Sequence, residues 1–132
     1  MSTDSAFAAL GNAQFLSLTT FRKSGERVST TVWVGREGDA LIVTTPEASG
    51  KVKRLRNNTR VEVRPCSRMG RVKDDAEPVA GVAEVLTDKG SLEHLTGIIR
   101  RKYGLEYRIV MGIERVIGSS QGNRVILRIT SA

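Results

Sequence analysis

Cysteine is almost absent from this chain. Cys66 is the one example in 132 residues, which excludes an intrachain disulfide and makes a reducing, cytoplasmic setting the simplest expectation. Histidine is equally scarce: His94 stands alone, so no Cys/His cluster exists and no patterned carboxylate set replaces it, and neither a transition-metal nor a calcium site is expected. Ser/His/Asp and paired-carboxylate catalysis find no support in the pattern either, and His94 is expected on a solvated helix face. Aromatics number three Phe, two Tyr and one Trp. None lies in the most basic stretch, so a base-stacking nucleic-acid surface is not expected. Long apolar runs are missing as well. The most apolar late stretch, YRIVMGIERVIG, is broken by Glu114 and Arg115 and is shorter than the roughly 20 residues that cross a bilayer. The N-terminal stretch carries Asp4 and lacks the basic start and apolar middle of an export signal, so no membrane partner is expected.

What the chain has is positive charge. Lys and Arg exceed Asp and Glu by 21 − 14 = +7, enough to attract polyanions through the summed field. The excess is concentrated: between Lys51 and Lys73 there are nine basic residues against one acid, Glu62. A hydrophobic fraction of 39% permits a packed core, and the length suits one domain, residues 1–132.

STDSAFAAL suggests a short first helix ending near Gly11 and Asn12. AQFLSLTTF, RVSTTVWV and ALIVTT read as strands joined by the turns RKSG and REGD, an antiparallel meander. Pro46 then stops the ladder, Ser49 can cap, and GKVKRLRNN has helical spacing with Val52 and Leu55 inward. RVEVRPC is a strand with Val61 and Val63 inward, SRMGRVKDDAEP a mobile surface loop, and VAGVAEVLT a strand whose Gly81 suggests a bend or a close approach. DKGSLEHLTGIIRRKYG is a helix stopping at Gly104. LEYRIVMGIERVIG fits helix or strand, and NRVILRIT closes the chain as a strand. Six strands with helices before the last one predict a mainly β protein, a small antiparallel barrel with peripheral helices.

Two stretches carry candidate chemistry. In TTPEASGKVKRLRNN a strand end, a small-residue turn and a helix start converge. Backbone N–H groups, the Lys51 charge and the hydroxyls of Thr44, Thr45 and Ser49 can receive an anion there, and Gly50 permits close approach. At 100° per residue Lys51 and Arg54 can grip one anion while Lys53 points elsewhere. The bland alternative is an exposed basic helix face, and the residues alone leave both open. The ending Lys-Ser/Thr of a P-loop is missing. In VSTTVW, Ser29 and Thr31 share a strand face with Trp33 beside Val32, which suits a flat heterocycle or a strand with one wet face and a core tryptophan. Cys66, between Arg64 and Arg68, reads as either a thiol of lowered pKa or a half-buried structural one.

FLSLTTFRKSGERVSTTVWV, LIVTTPEASGKVKRLRNNTRVEVRPC and GVAEVL, spanning Phe15 to Leu86, resemble the split-barrel flavin and deazaflavin proteins related to pyridoxamine 5′-phosphate oxidase, and within them the actinobacterial branch of F-420-dependent enzymes. The resemblance implies a six-stranded antiparallel split β-barrel and a homodimer with cofactor at the interface. It also implies hydride transfer to a small molecule through coenzyme F-420, with FMN, or a non-catalytic F-420 carrier or sensor, as alternatives. It assigns Thr45, Ser49 and Lys51 to the cofactor phosphate, Ser29 to Trp33 to the ring, and Lys53 and Arg54 to an acidic tail. Relatives that bind FMN carry Ser-Arg-Lys where this chain has Ser49-Gly50-Lys51. One cation expected for a doubly charged phosphate is therefore missing, and F-420 is favoured. Thr31 stands where the narrower branch has proline, and Gly35 shortens the apolar end of its strand. No general acid or base is assigned, because the cofactor carries the reacting carbon.

Overall fold

The computed structural model describes residues 3–72, 76–116 and 124–132. Helix α1 (Thr3–Ala9) runs into a 3-10 turn (Leu10–Asn12), and seven strands follow: β1 (Phe15–Phe21), β2 (Arg27–Trp33), β3 (Gly35–Glu37), β4 (Ala40–Pro46), β5 (Arg60–Pro65), β6 (Val79–Leu86) and β7 (Arg124–Ser131). Helix α2 (Gly50–Asn57) joins β4 to β5, while α3 (Lys89–Tyr103) and α4 (Leu105–Val116) precede β7. The ambiguous segment is thus helical from Leu105 to Val116, and its last two residues, 117–118, lie outside those described. No helix among the described residues is long and apolar enough to cross a membrane.

The strand order is β2-β1-β5-β6-β7-β4-β3, with every pairing antiparallel. Two expectations are corrected here. Among the described residues the sheet has seven strands rather than six, because Arg36 and Glu37, read as turn, pair with Leu41 and Ala40 and leave a tight hairpin at Gly38, whose φ is +57°. The first three long strands also form no meander, since β4 pairs with β3 and β7. Strands β2 and β3 are the two ends of the sheet, yet only Val34 separates them in the chain. One bent segment therefore belongs to both ends, and the sheet curls towards itself at that residue.

Alternation along the strands sorts side chains into an inner core and an outer layer. Leu16, Leu18, Val43, Val61, Val63, Leu127 and Ile129 are buried inside the curl, so the interior is filled by side chains. On the outer face of β4 and β7, Ala40, Ile42 and Ile126 lie beneath Leu95, Ile99 and Tyr103 of α3. Covering β4 on both faces accounts for its continuous apolar run. Asp88 caps α3 by accepting from Ser91 N at 2.9 Å, and Gly104 ends it at a φ of +52°. Gly81 marks the expected close approach: a Cβ there meets Thr130 O at 2.9 Å, Ile129 Cγ2 at 3.1 Å and Phe7 Cζ at 3.2 Å. Gly81→Ala is expected to cost about 2 kcal/mol by overpacking, measured by urea unfolding.

Candidate functional site

With its interior filled, the fold can receive a ligand on its rim, where the end of β4 meets α2. Ser49 caps α2 as its sequence position suggests. Its Oγ accepts from Val52 N at 3.4 Å and from Thr45 Oγ1 at 3.2 Å, which leaves the Ser49 O–H proton to donate outward. Thr45 itself is buried. Lys51 follows, with no acid in the first turn of the helix. Burial, with the neighbouring charges of Arg54 and Arg124, pulls the Lys51 ammonium below the ordinary lysine range. Three cations drawn together at a helix start form a field that an anion relieves.

Beside this cradle lies an open cavity of about 330 Å³. Its apolar wall is Phe15, Val32, Trp33 and Val110, and its polar wall Thr31, Thr44 and Thr45. Lys51, Arg68 and Arg124 supply the charge. Trp33 is half-buried: its ring stacks on Tyr103 at 4.7 Å and 18°, and lies 6.2 Å from the tilted ring of Tyr107. The core and ligand readings of this tryptophan therefore coexist, since α3 and α4 back a ring that also lines the cavity.

Of the residues singled out in the sequence, Thr31, Val32, Trp33, Thr44, Thr45 and Lys51 line this cavity. Ser49 and Gly50 sit at the adjoining helix start. Ser29 is not part of the lining; its hydroxyl pairs across the ladder with Thr19 Oγ1 at 2.7 Å. The Lys53 side chain is exposed. Arg54 folds back, its Nε donating to Thr20 Oγ1 at 2.6 Å.

Arg124, Arg68, Phe15, Pro46 and Val110 were not legible as site residues. Arg124 opens β7 opposite Pro46, and it donates from Nε to Thr44 Oγ1 at 3.1 Å and from Nη2 to Thr44 O at 3.2 Å. Its position could have been read only once the β4–β7 pairing was known. Arg68 belongs to the stretch expected to be a mobile loop, of which residues 73–75 lie outside those described. Ser67 to Arg71 instead form a closed turn, with Ser67 N donating to Arg71 O and Ser67 Oγ accepting from Met69 N and Arg71 N. The Arg68 guanidinium lies 5.2 Å over the Phe15 ring and 3.1 Å from Glu106.

Of the two readings of Cys66, the half-buried structural thiol is the one the structure supports. Burial raises its thiol pKa, a hydrogen bond with Thr31 offsets part of that rise, and the nearby arginines do not reverse it. Alkylation by iodoacetamide at pH 7 is expected to be slower than for a free cysteine and to accelerate with pH. His94 is exposed as expected, 2.6 Å from Glu37.

The geometry is therefore a flat, partly aromatic slot ending in a cationic, hydroxyl-rich cradle. Known proteins place it in context. No curated protein matches the chain. Among solved structures, the conserved hypothetical protein Rv2991 from Mycobacterium tuberculosis is 20% identical over 99% of this chain and 81% of its own, with a TM-score of 0.69. An F420 reductase is 17% identical over 96% and 93%, with a TM-score of 0.62. HutZ, the heme storage protein from Vibrio cholerae, is 14% identical over 100% and 92%, with a TM-score of 0.67. These likenesses concern the fold. The family model for pyridoxamine 5′-phosphate oxidase matches residues 2–132, nearly the whole chain, and the protein belongs to that family.

Proposed function

We propose that this protein is an oxidoreductase that binds the deazaflavin F-420 in the rim cavity and transfers a hydride to a small molecule, with the site completed at the interface of a homodimer. The observation that carries the reading is the junction of the Lys51 cradle with the Trp33-lined slot. The residues fit such a group. Lys51, the Ser49 hydroxyl and the first N–H groups of α2 suit a phosphate, while Val32 and Trp33 offer apolar contact to a ring whose edge meets the hydroxyls of Thr31 and Thr44. Lys53, exposed on α2, is available to an acidic tail.

When bound, the cofactor supplies the hydride-carrying carbon. The protein's part is to orient and exclude water. Trp33, held by Tyr103 and Tyr107, sets the plane of the slot, and Lys51 anchors the far end. No side chain is required as nucleophile or general base.

FMN is the second reading, and one observation favours it: the Arg54 guanidinium lies over Gly50, so a cation is present where the Ser49-Gly50-Lys51 sequence lacks one. A carrier or sensor that binds F-420 without turnover shares the same site. Reduced F-420 incubated with electron-poor unsaturated acceptors is expected to be oxidised at a rate proportional to enzyme concentration, followed by cofactor absorbance. Saturable binding with no oxidation across the panel would leave the carrier.

A further inference from the structure

We propose that Arg68 recognises the carboxylate of the molecule to be reduced, so that the acceptor is a flat, unsaturated organic acid, an inference that rests on the oxidoreductase reading above. Among the described residues three cations line the cavity, Lys51, Arg124 and Arg68, and no carboxylate does. Lys51 and Arg124 belong to the cradle, the first in the opening turn of α2 and the second bonded to Thr44. Arg68 lies instead over Phe15, whose partner across the β1–β2 ladder is Trp33. A phosphate at Lys51 and a ring against Val32 and Trp33 leave Arg68, Phe15 and Val110 without a part. One cation and two apolar side chains of the same cavity thus remain for a second molecule.

The guanidinium is held ready for such a molecule. Gly70, at a φ of +83°, lets the turn that carries Arg68 lie against Thr31, where a Cβ would come within 2.8 Å of Thr31 Oγ1. The guanidinium lies 5.2 Å over the Phe15 ring, a contact that favours one placement of its planar fork. Its polar partner is already a carboxylate, Glu106 of α4, 3.1 Å from Nη2. That pair is open to solvent, with side chains 65% and 27% exposed, so it contributes little to stability and is readily exchanged. An acceptor carboxylate replaces Glu106 like for like, and the fork can hold it through two parallel N–H bonds.

The test is calorimetric titration of cinnamate, and of cinnamamide as its neutral isostere, into wild type, Arg68→Met and Glu106→Gln at pH 7. Phosphate buffer competes for the Lys51 cradle, and each titration is repeated with F-420 present. Wild type is expected to bind cinnamate about tenfold tighter than cinnamamide, and Arg68→Met to bind the two within about twofold with its cinnamamide affinity unchanged. Glu106→Gln, which removes the competing carboxylate, is expected to bind cinnamate about threefold tighter than wild type does. The affinity of Arg68→Met for F-420 is expected to stay within about twofold of wild type, because the cradle is untouched. No preference for cinnamate in wild type, a preference that survives in Arg68→Met, or weaker cinnamate binding in Glu106→Gln overturns the role of Arg68 while leaving the cofactor reading intact. Wild type that prefers cinnamate yet binds neither F-420 nor FMN overturns the cofactor reading, and the acceptor role with it.

Discussion

Lys51→Met is expected to weaken cofactor binding about a hundredfold while making the unliganded protein more stable at pH 7. The loss follows from removing a charge-assisted hydrogen bond to phosphate, which contributes about 1.5–3 kcal/mol. The gain follows from the lowered pKa of Lys51, caused by burial and by Arg54 and Arg124. A lysine whose folded pKa lies below its unfolded value binds its proton less tightly when folded. Its contribution to stability is therefore complete only above the unfolded pKa, and it is lost as pH falls through the lowered folded one. At pH 7 the full penalty is present, and methionine, which keeps much of the length of the stem, removes it. Thermal unfolding of both proteins from pH 7 to pH 11 is expected to show the variant's advantage shrinking as pH rises through the folded pKa of Lys51. Opposite effects on binding and stability separate a ligand-holding lysine from a structural one, whose removal harms both.

Tyr103→Phe is expected to destabilise the protein by about 3 kcal/mol, a fall in Tm on the order of 10 °C. The Tyr103 hydroxyl accepts from Val34 N at 3.0 Å and donates to Gln14 O at 2.6 Å, with Val34 O at 3.1 Å sharing the proton. Val34 is fully buried at the bend where β2 becomes β3, so its N–H would be left without this partner, away from water. Lys102 beside it donates to Gly11 O at 2.8 Å and Val34 O at 2.6 Å, and burial lowers its pKa. That ammonium holds the Val34 carbonyl in either case and limits the loss to the hydroxyl's own bonds. Urea unfolding with an unchanged m-value measures the cost. The phenyl ring still stacks on Trp33, so cofactor affinity is expected to change by less than about threefold. Tyr103→Leu, which removes the stack as well, is expected to lose both stability and affinity.

Elements with a local cause were legible before the fold was known. The α2 start could be placed because Pro46, Ser49 and the Val52–Leu55 spacing act within a few residues, and the α3 limits because Asp88 and Gly104 do the same. The sheet order could not be placed in this way. Nothing near Ala40 announces that its strand pairs with a segment more than eighty residues later, because an apolar strand records that it is buried and not by what. Gly35 has a similar history: it reads as the weak end of a strand, yet a Cβ there meets Ile99 Cδ1 at 2.9 Å, so it marks where α3 presses on the bend.

The site divided along the same line. Lys51, Thr45 and Trp33 come from contiguous patterns and lie where those patterns implied. Arg124 reaches the cavity through β7, and Arg68 through a turn closed by its own backbone and the Ser67 hydroxyl. Arg54 was legible as a partner of Lys51, but its fold onto Thr20 and over Gly50 depends on β1 lying beneath α2. The apparent lack of a cation at position 50 is filled only in three dimensions.

Trp33 is the single tryptophan and lines the cavity, so its fluorescence tests the central claim most directly. Titration of the intact protein with F-420 and with FMN is expected to give saturable quenching by at least one of them, with a Kd well below millimolar. No saturation below about 1 mM, a binding free energy of only about 4 kcal/mol, would contradict the account.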